Sequence, residues 1–83
     1  MLRMIPCVSN SLVGIAYTPG ESFFYVKFKR GDVYWYDCAD EFDAAQVITD
    51  ILFAESQGAA LQKAVHGLPF VKVEDPTTLE FHA

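Results

Sequence analysis

The chain has 83 residues, a length that fits one domain with a thin hydrophobic core. Hydrophobic residues make up 52% of it and charged residues 20%, a balance that excludes an intrinsically disordered chain. The net charge of −5 argues against binding nucleic acid through a uniformly basic surface, although local basic patches remain compatible with it. Because no apolar run approaches the length of a membrane span and no signal-peptide pattern opens the chain, we expect a cytoplasmic protein with two reduced cysteines.

The first ten residues are predicted to be a leader that precedes the first strand. Pro6 disfavours a helix, and residues 8–11 favour an extended or turning entry into a first strand at Leu12–Tyr17. Thr18-Pro19-Gly20-Glu21 then predicts a type II turn, in which the glycine supplies the positive φ.

Two arms rich in aromatic and β-branched residues follow, and they predict a hairpin closed at Arg30-Gly31. A two-residue turn at this point predicts the pairs Lys29 with Asp32, Phe28 with Val33, Lys27 with Tyr34, Val26 with Trp35, Tyr25 with Tyr36 and Phe24 with Asp37. The preceding turn predicts that Ile15 pairs with Phe24 and Val13 with Val26.

The two turns agree on how the side chains are divided between the two faces of the sheet. The predicted apolar face, which needs a cover, comprises Val13, Ile15, Phe24, Val26, Phe28, Val33 and Trp35. The opposite face comprises Leu12, Gly14, Ala16, Phe23, Tyr25, Lys27, Tyr34 and Tyr36. Small residues beside large rings on this second face either form a shallow ligand groove or receive the C-terminal segment or a second subunit.

The second half of the chain predicts two helices. Asp40 is a typical N-cap for a helix reaching about Ala54, and Ser56 is typical of a second N-cap, with Gly67 ending that helix. Apolar residues recur at helical spacing in both helices. In the first helix they are Phe42, Ala45, Ile48 or Val47, Ile51 and Leu52, and in and just after the second they are Leu61, Ala64, Val65 and Leu68. Residues 70–73 show the alternating pattern of side chains that is typical of a short edge strand.

These elements predict an α+β fold, an antiparallel β-meander of three to four strands with two helices packed on one face. The domain is expected to span residues 6–73. The tail 74–83 either docks on the domain or frays.

Several short motifs recur in one family in this order: Val8-Ser9-x-Ser11, Val26-x-Phe28, Gly31-x-Val33-Tyr34-x-Tyr36 and Ser56-x-Gly58. The chain resembles the KTSC domain, which occurs at the end of some lysyl-tRNA synthetases and as small bacterial and phage proteins. The resemblance implies a small α+β domain, for which RNA binding has been suggested. The sequence departs from the family at Leu61-Gln62, where Phe-Asn is common, and at His66, where Arg is common.

The predicted function is a non-enzymatic binding module whose ligand is RNA or a small nucleotide. The candidate ligand-binding residues are Tyr25, Lys27, Tyr34 and Tyr36 on the aromatic face, with Lys29 and Arg30 at the adjacent turn. Cross-strand packing of the tyrosines is the alternative explanation of this pattern. The alternative function is a small protein-interaction or inhibitor domain, phage-encoded and acting on a host protein, which the negative charge favours.

An enzymatic role is not expected. Ser9, Ser11, Ser56 and His66 lack an orienting third group, and serines at the entries to strands and helices usually cap backbone groups. The acidic run from Asp37 to Asp43 is explained by a helix start better than by a metal site. We therefore expect no cofactor and no metal. A homo-oligomer is expected because so small a domain exposes a half-apolar sheet face.

Overall fold

In the computed structural model, residues 2–18, 20–74 and 81–82 are described. The elements along the chain are β1 (Leu2–Pro6), β2 (Leu12–Ala16), β3 (Phe23–Phe28), β4 (Val33–Asp37), α1 (Glu41–Leu52), α2 (Gln57–Val65), β5 (Phe70–Lys72) and β6 (Phe81–His82). The described strands form one sheet in the order β5-β4-β3-β2-β1-β6. The predicted α+β class is confirmed, and the sheet has more strands than predicted.

Residues Leu2–Pro6 form a strand of the sheet, so the prediction of a leader before the first strand was wrong. β1 pairs antiparallel with β2, with Ile5 opposite Ile15, and it pairs parallel with β6 on its other side. Residues 7–11, which carry no hairpin turn signal, separate β1 from β2. The sequence therefore lacked, between β1 and β2, the kind of glycine-containing turn that identified β2, β3 and β4.

The hairpin of β3 and β4 has a register one residue away from the predicted one. Val26 pairs with Tyr34, and Phe24 pairs with Tyr36. The Phe28 N–H donates to the Asp32 carbonyl at 2.9 Å, and the Gly31 N–H donates to the Phe28 carbonyl at 2.9 Å. Gly31 has φ 103°, so the connection is a three-residue turn that ends in a left-handed glycine. The extra turn residue moves every side chain of β4 to the other face.

The helix side of β4 therefore carries Tyr34 and Tyr36, and the prediction that Val33 and Trp35 face the helices was wrong. Val33 pairs with Lys27 and Trp35 with Tyr25, on the face away from the helices. The assignment of β3 was right, because Phe24 and Val26 are fully buried in the core that the helices cover.

A β-bulge in β2 exchanges the predicted faces of Leu12 and Val13. Leu12 pairs with Phe28, while Gly14 pairs with Lys27, and the register shifts between them. Leu12 is consequently buried in the core and Val13 is 37% exposed, the reverse of the predicted arrangement. Ile15 pairs with Val26 rather than with Phe24, but it lies on the predicted face.

Local capping chemistry sets where both helices begin, as predicted. The Asp40 carboxylate accepts the N–H of Phe42 at 2.7 Å and the N–H of Asp43 at 3.3 Å. The Ser56 hydroxyl accepts the N–H of Ala59 at 3.3 Å. These hydrogen bonds satisfy donors of the first turn that have no partner within the helix.

The core lies between the helices and one face of the sheet. It comprises Leu12, Ile15, Phe24, Val26, Tyr36, Cys38, Ala44, Ile48, Ile51 and Leu61. α1 contributes Ala44, Ile48 and Ile51 from one side, so the prediction that Phe42 and Ala45 belong to its apolar stripe was wrong. Phe42 is 76% exposed.

Candidate ligand-binding groove

The structure divides the predicted ligand-binding residues between the two faces of the sheet. Tyr34 and Tyr36 lie on the helix side, because β4 takes the shifted register. Tyr25 and Lys27 lie on the opposite face, where Tyr25 pairs with both Ala16 and Trp35. The predicted single surface of three tyrosines and a lysine was therefore wrong.

The rings on the helix side form a continuous aromatic row. The Phe28 ring meets the Tyr34 ring edge-on at 5.6 Å between centroids, and the Tyr34 and Tyr36 rings stack at 6.3 Å. Phe70 of β5, which is 63% exposed, lies 6.3 Å from each tyrosine ring. The Tyr36 ring stacks on Phe24 at 5.5 Å. The row therefore runs from the hydrophobic core to solvent.

The two tyrosines of this row differ in exposure. Tyr34 is half-buried, whereas Tyr36 is only 8% exposed. Burial raises the pKa of the Tyr36 hydroxyl, and the neighbouring Tyr34 raises it further. Tyr34 is thus the ring available to a ligand, and Tyr36 mainly supports it.

The turn after β3 brings two basic residues to the end of the row. The Arg30 guanidinium lies over the Phe28 ring at 5.6 Å from its centroid and forms an ion pair with Asp32. Lys72 of β5 also approaches Asp32, at 3.6 Å. The backbone N–H of Lys29 donates to the Ser11 carbonyl at 2.9 Å, which holds this turn against the start of β2 while the lysine side chain is exposed.

Two serine motifs that are distant in the sequence meet beside this turn. A Cβ atom on Gly58 would lie 3.1 Å from the Ser11 hydroxyl and 3.3 Å from the Ser9 hydroxyl, so α2 approaches the loop as closely as a glycine permits. The Ser9 hydroxyl accepts the N–H groups of Ser11 and Leu12 at 3.1 and 3.3 Å. It therefore stabilises the loop backbone, as a capping role for the serines predicted.

One glutamine fastens the same loop to the helices. The Gln57 side chain accepts the N–H of Val8 at 2.6 Å and donates to the carbonyl of Leu52 at 3.2 Å. One amide therefore connects the β1–β2 loop to the end of α1. Sequence reasoning missed this contact, although Gln57 is the middle residue of the Ser56-x-Gly58 motif.

The aromatic row and the serine loop border two adjoining clefts. The tyrosine cleft, of about 520 Å³, is lined by Asn10, Ser11, Phe28, Lys29, Arg30, Tyr34, Tyr36 and Gln62. The serine cleft shares four of these residues and continues past Ser9 to the first turn of α2. Together they form a polar groove, hereafter the tyrosine groove, with an aromatic wall at one end. The tyrosine cleft alone is within the size range of small-molecule sites.

The further features that bear on function are possible metal ligands, the two cysteines and the length of the helices. Within the part of the chain that the structure describes, no cluster of three or more His, Cys, Asp or Glu side chains is placed to hold a metal ion. Cys7 and Cys38 are both free thiols. Burial raises the pKa of each, and Asp37 and Asp43 raise that of Cys38 further. Within the described residues, neither α1 nor α2 has the length and hydrophobicity that a membrane-spanning helix needs.

Comparison with known proteins shows similarity in structure. No model of a protein family matches the chain, and no curated protein matches it either. The crystal structure of a KTSC domain protein from Yersinia pestis superposes with a TM-score of 0.65 at 20% sequence identity. The match covers 88% of this chain and 99% of that one. The chain therefore has the fold of a KTSC domain protein, as its ordered motifs predicted.

Proposed function

We propose that this chain is a non-enzymatic binding domain whose ligand, a nucleotide or a short stretch of single-stranded RNA, occupies the tyrosine groove. The observation that carries the proposal is the convergence of Tyr34, Lys29 and Arg30 on one cleft. Tyr25 and Lys27, on the other face of the sheet, are not part of this site.

Each wall of the groove offers one kind of contact that a nucleotide uses. The half-buried Tyr34 ring provides a flat surface for a base, supported by Phe28 and Tyr36. The Asn10 and Gln62 amides supply hydrogen-bond donors and acceptors for the base edge. Because Arg30 is already paired with Asp32, Lys29 is the natural contact for a phosphate.

Two observations support a role without catalysis. The Ser9 hydroxyl is occupied by backbone N–H groups, so it is a structural acceptor rather than an activated nucleophile. The raised pKa values of Cys7 and Cys38 keep both thiols protonated at neutral pH, whereas a reactive cysteine needs a thiolate.

Fluorescence anisotropy with labelled oligouridine, and calorimetry with single nucleotides, test the proposal. Loss of one base stack costs about 1–3 kcal/mol, so Tyr34→Ala is expected to weaken binding by about 5- to 150-fold. Lys29→Ala is expected to weaken it and to reduce its salt dependence. Tyr25→Ala, on the opposite face, is the matched aromatic control and is expected to bind like the wild type.

Either of two results would reject the groove as the site. One is undiminished binding by Tyr34→Ala with a native circular dichroism spectrum, and the other is an equal loss in Tyr25→Ala. Tyr36 is left intact in this series because its truncation would open a cavity in the core. Failure of the wild type to bind any of these probes would reject the nucleotide proposal itself.

The second candidate function is a protein-interaction or inhibitor domain acting on a host protein. The net charge of −5 and the exposed acidic residues of α1 favour it. Native mass spectrometry of the protein purified from cells separates the two candidates, because it shows co-purified nucleotide or RNA together with the oligomeric state. The proposed homo-oligomer is tested in the same spectrum.

A further inference from the structure

The outward side of α1 carries two large apolar side chains that the fold does not use. Phe42 is 76% exposed and Phe53 is 86% exposed. In the same helix, Ala44, Ile48 and Ile51 are buried against the sheet. The two phenyl rings are therefore surplus to the hydrophobic core, although each exposes apolar area that a solvent-facing helix position normally avoids.

Helix geometry places both rings on one line. Phe53, the C-cap residue directly after α1, follows Phe42 by about three turns, so the two residues point in nearly the same direction, about 17 Å apart. Gln46 and Thr49 lie between them at helical spacing, and both are exposed. We call the line Phe42, Gln46, Thr49 and Phe53 the outer stripe of α1. Its side chains carry no formal charge.

A further exposed apolar residue lies in the β1–β2 loop. Val8 is 91% exposed, and its N–H is bound by the Gln57 amide, which also holds the Leu52 carbonyl next to Phe53. Val8 lines the serine cleft, so it belongs to the tyrosine groove and not to the outer stripe.

The charges that flank the outer stripe are acidic. Asp43 and Asp50 are exposed along one side, and Glu41 is exposed at its start, whereas α1 contains no lysine or arginine. A second copy of the chain docking through this helix would bring like charges together, which disfavours self-association here. Charge complementarity instead selects a basic partner.

We infer that the outer stripe of α1 is a docking surface for a basic, amphipathic protein segment. Such a segment places apolar side chains on Phe42 and Phe53 and its lysines or arginines against Asp43 and Asp50. This surface is formed by residues separate from those lining the tyrosine groove, and the inference is independent of the groove's ligand.

The test uses a labelled amphipathic peptide of leucine and lysine, about 14 residues or four helical turns long. Its binding to the full chain is measured by fluorescence anisotropy. We expect saturable binding that weakens as the salt concentration rises, and no binding of a matched peptide with glutamate in place of lysine.

Two double variants separate apolar contact from charge. Phe42→Ser with Phe53→Ser leaves every charge in place, and Asp43→Asn with Asp50→Asn leaves both rings in place. Each is expected to weaken binding by about tenfold or more. Val71→Ser, which changes an exposed apolar residue of β5, is the matched control and is expected to leave affinity unchanged.

Three outcomes would overturn the inference. The first is binding of the serine double variant within twofold of the wild type, which would indicate charge attraction alone. The second is equal binding of the glutamate peptide. The third is a dimer, seen by sedimentation, that the serine double variant dissociates, because the occupant would then be a second copy. All variants are first checked for a native melting transition.

Discussion

Gly14 provides a sharp test of the strand arrangement. A Cβ atom at this position would lie 2.6 Å from the Met4 Cγ and 2.7 Å from the Ile5 carbonyl oxygen. Both atoms belong to β1, so the clash exists only if β1 packs beside β2 as described. A backbone oxygen has little freedom to move away within a paired strand.

The expected cost of Gly14→Ala is a balance of two effects. Replacing glycine by alanine within a strand favours folding by about 0.5–1 kcal/mol, because the unfolded chain loses conformational freedom. Forcing an extra methyl group into a packed site costs about 1–3 kcal/mol. We expect a net loss of about 1–2 kcal/mol and a melting temperature lower by about 4–8 °C for each kcal/mol.

Urea denaturation followed by the fluorescence of Trp35, the single tryptophan, measures this change. Combining Gly14→Ala with Met4→Ala removes the side-chain part of the clash but retains the Ile5 oxygen. The second substitution should therefore restore only part of the free energy of unfolding that Gly14→Ala removes, as measured in a double-mutant cycle. If Gly14→Ala proves as stable as the wild type or more stable, the close packing of β1 on β2 is refuted.

Three further predictions concern single positions. Ala39→Gly should raise the free energy of unfolding by about 1 kcal/mol, because Ala39 has φ 64°; a lower urea midpoint would contradict this. Asp40→Ala should lower the free energy of unfolding by about 1 kcal/mol through loss of the N-cap, while Asp40→Asn should keep most of that stability in the same assay. Above about pH 10 stability should fall, because burial raises the pKa of Tyr36 and the unfolded chain therefore loses that proton first; this slope should be shallower in Tyr36→Phe.

The accuracy of the sequence-based predictions differs between local and distant features. Both N-caps, Asp40 and Ser56, were identified correctly because each acts on backbone groups two or three residues away. The prediction of which face of β3 enters the core was also correct, because Phe24 and Val26 are two residues apart and therefore lie on the same, buried face. Such features depend only on neighbours in the chain.

The faces of β4 were predicted wrongly because of a single turn residue. Two-residue and three-residue turns at Arg30-Gly31 both place a glycine where positive φ is needed, so the sequence pattern fits either. The three-residue turn forms here, and a backbone hydrogen bond holds Lys29 to Ser11, the residue before β2. That contact involves a residue outside the hairpin, which a pattern within the hairpin does not report.

The groove could not be assembled from the sequence. Its motifs were visible as separate short stretches, but the contact of Gly58 with Ser9 and Ser11 depends on α2 returning to the loop before β2. The shifted register also placed Tyr34, instead of the predicted Trp35, on the helix side of the sheet, where the groove lies. The candidate site consequently retained four of its six predicted residues and lost the two on the opposite face.

The amino-acid sequence by itself determined the α+β class, the helix starts and the order of the main strands, since capping, turn and alternation energies act between near neighbours. Tertiary structure alone decided the partner of β1, the bulge at Val13 and the side of the sheet on which Tyr34 and Tyr36 lie. These choices differ by one residue of register or by the docking of distant segments. Their energies come from packing between parts of the chain that only the complete fold brings together.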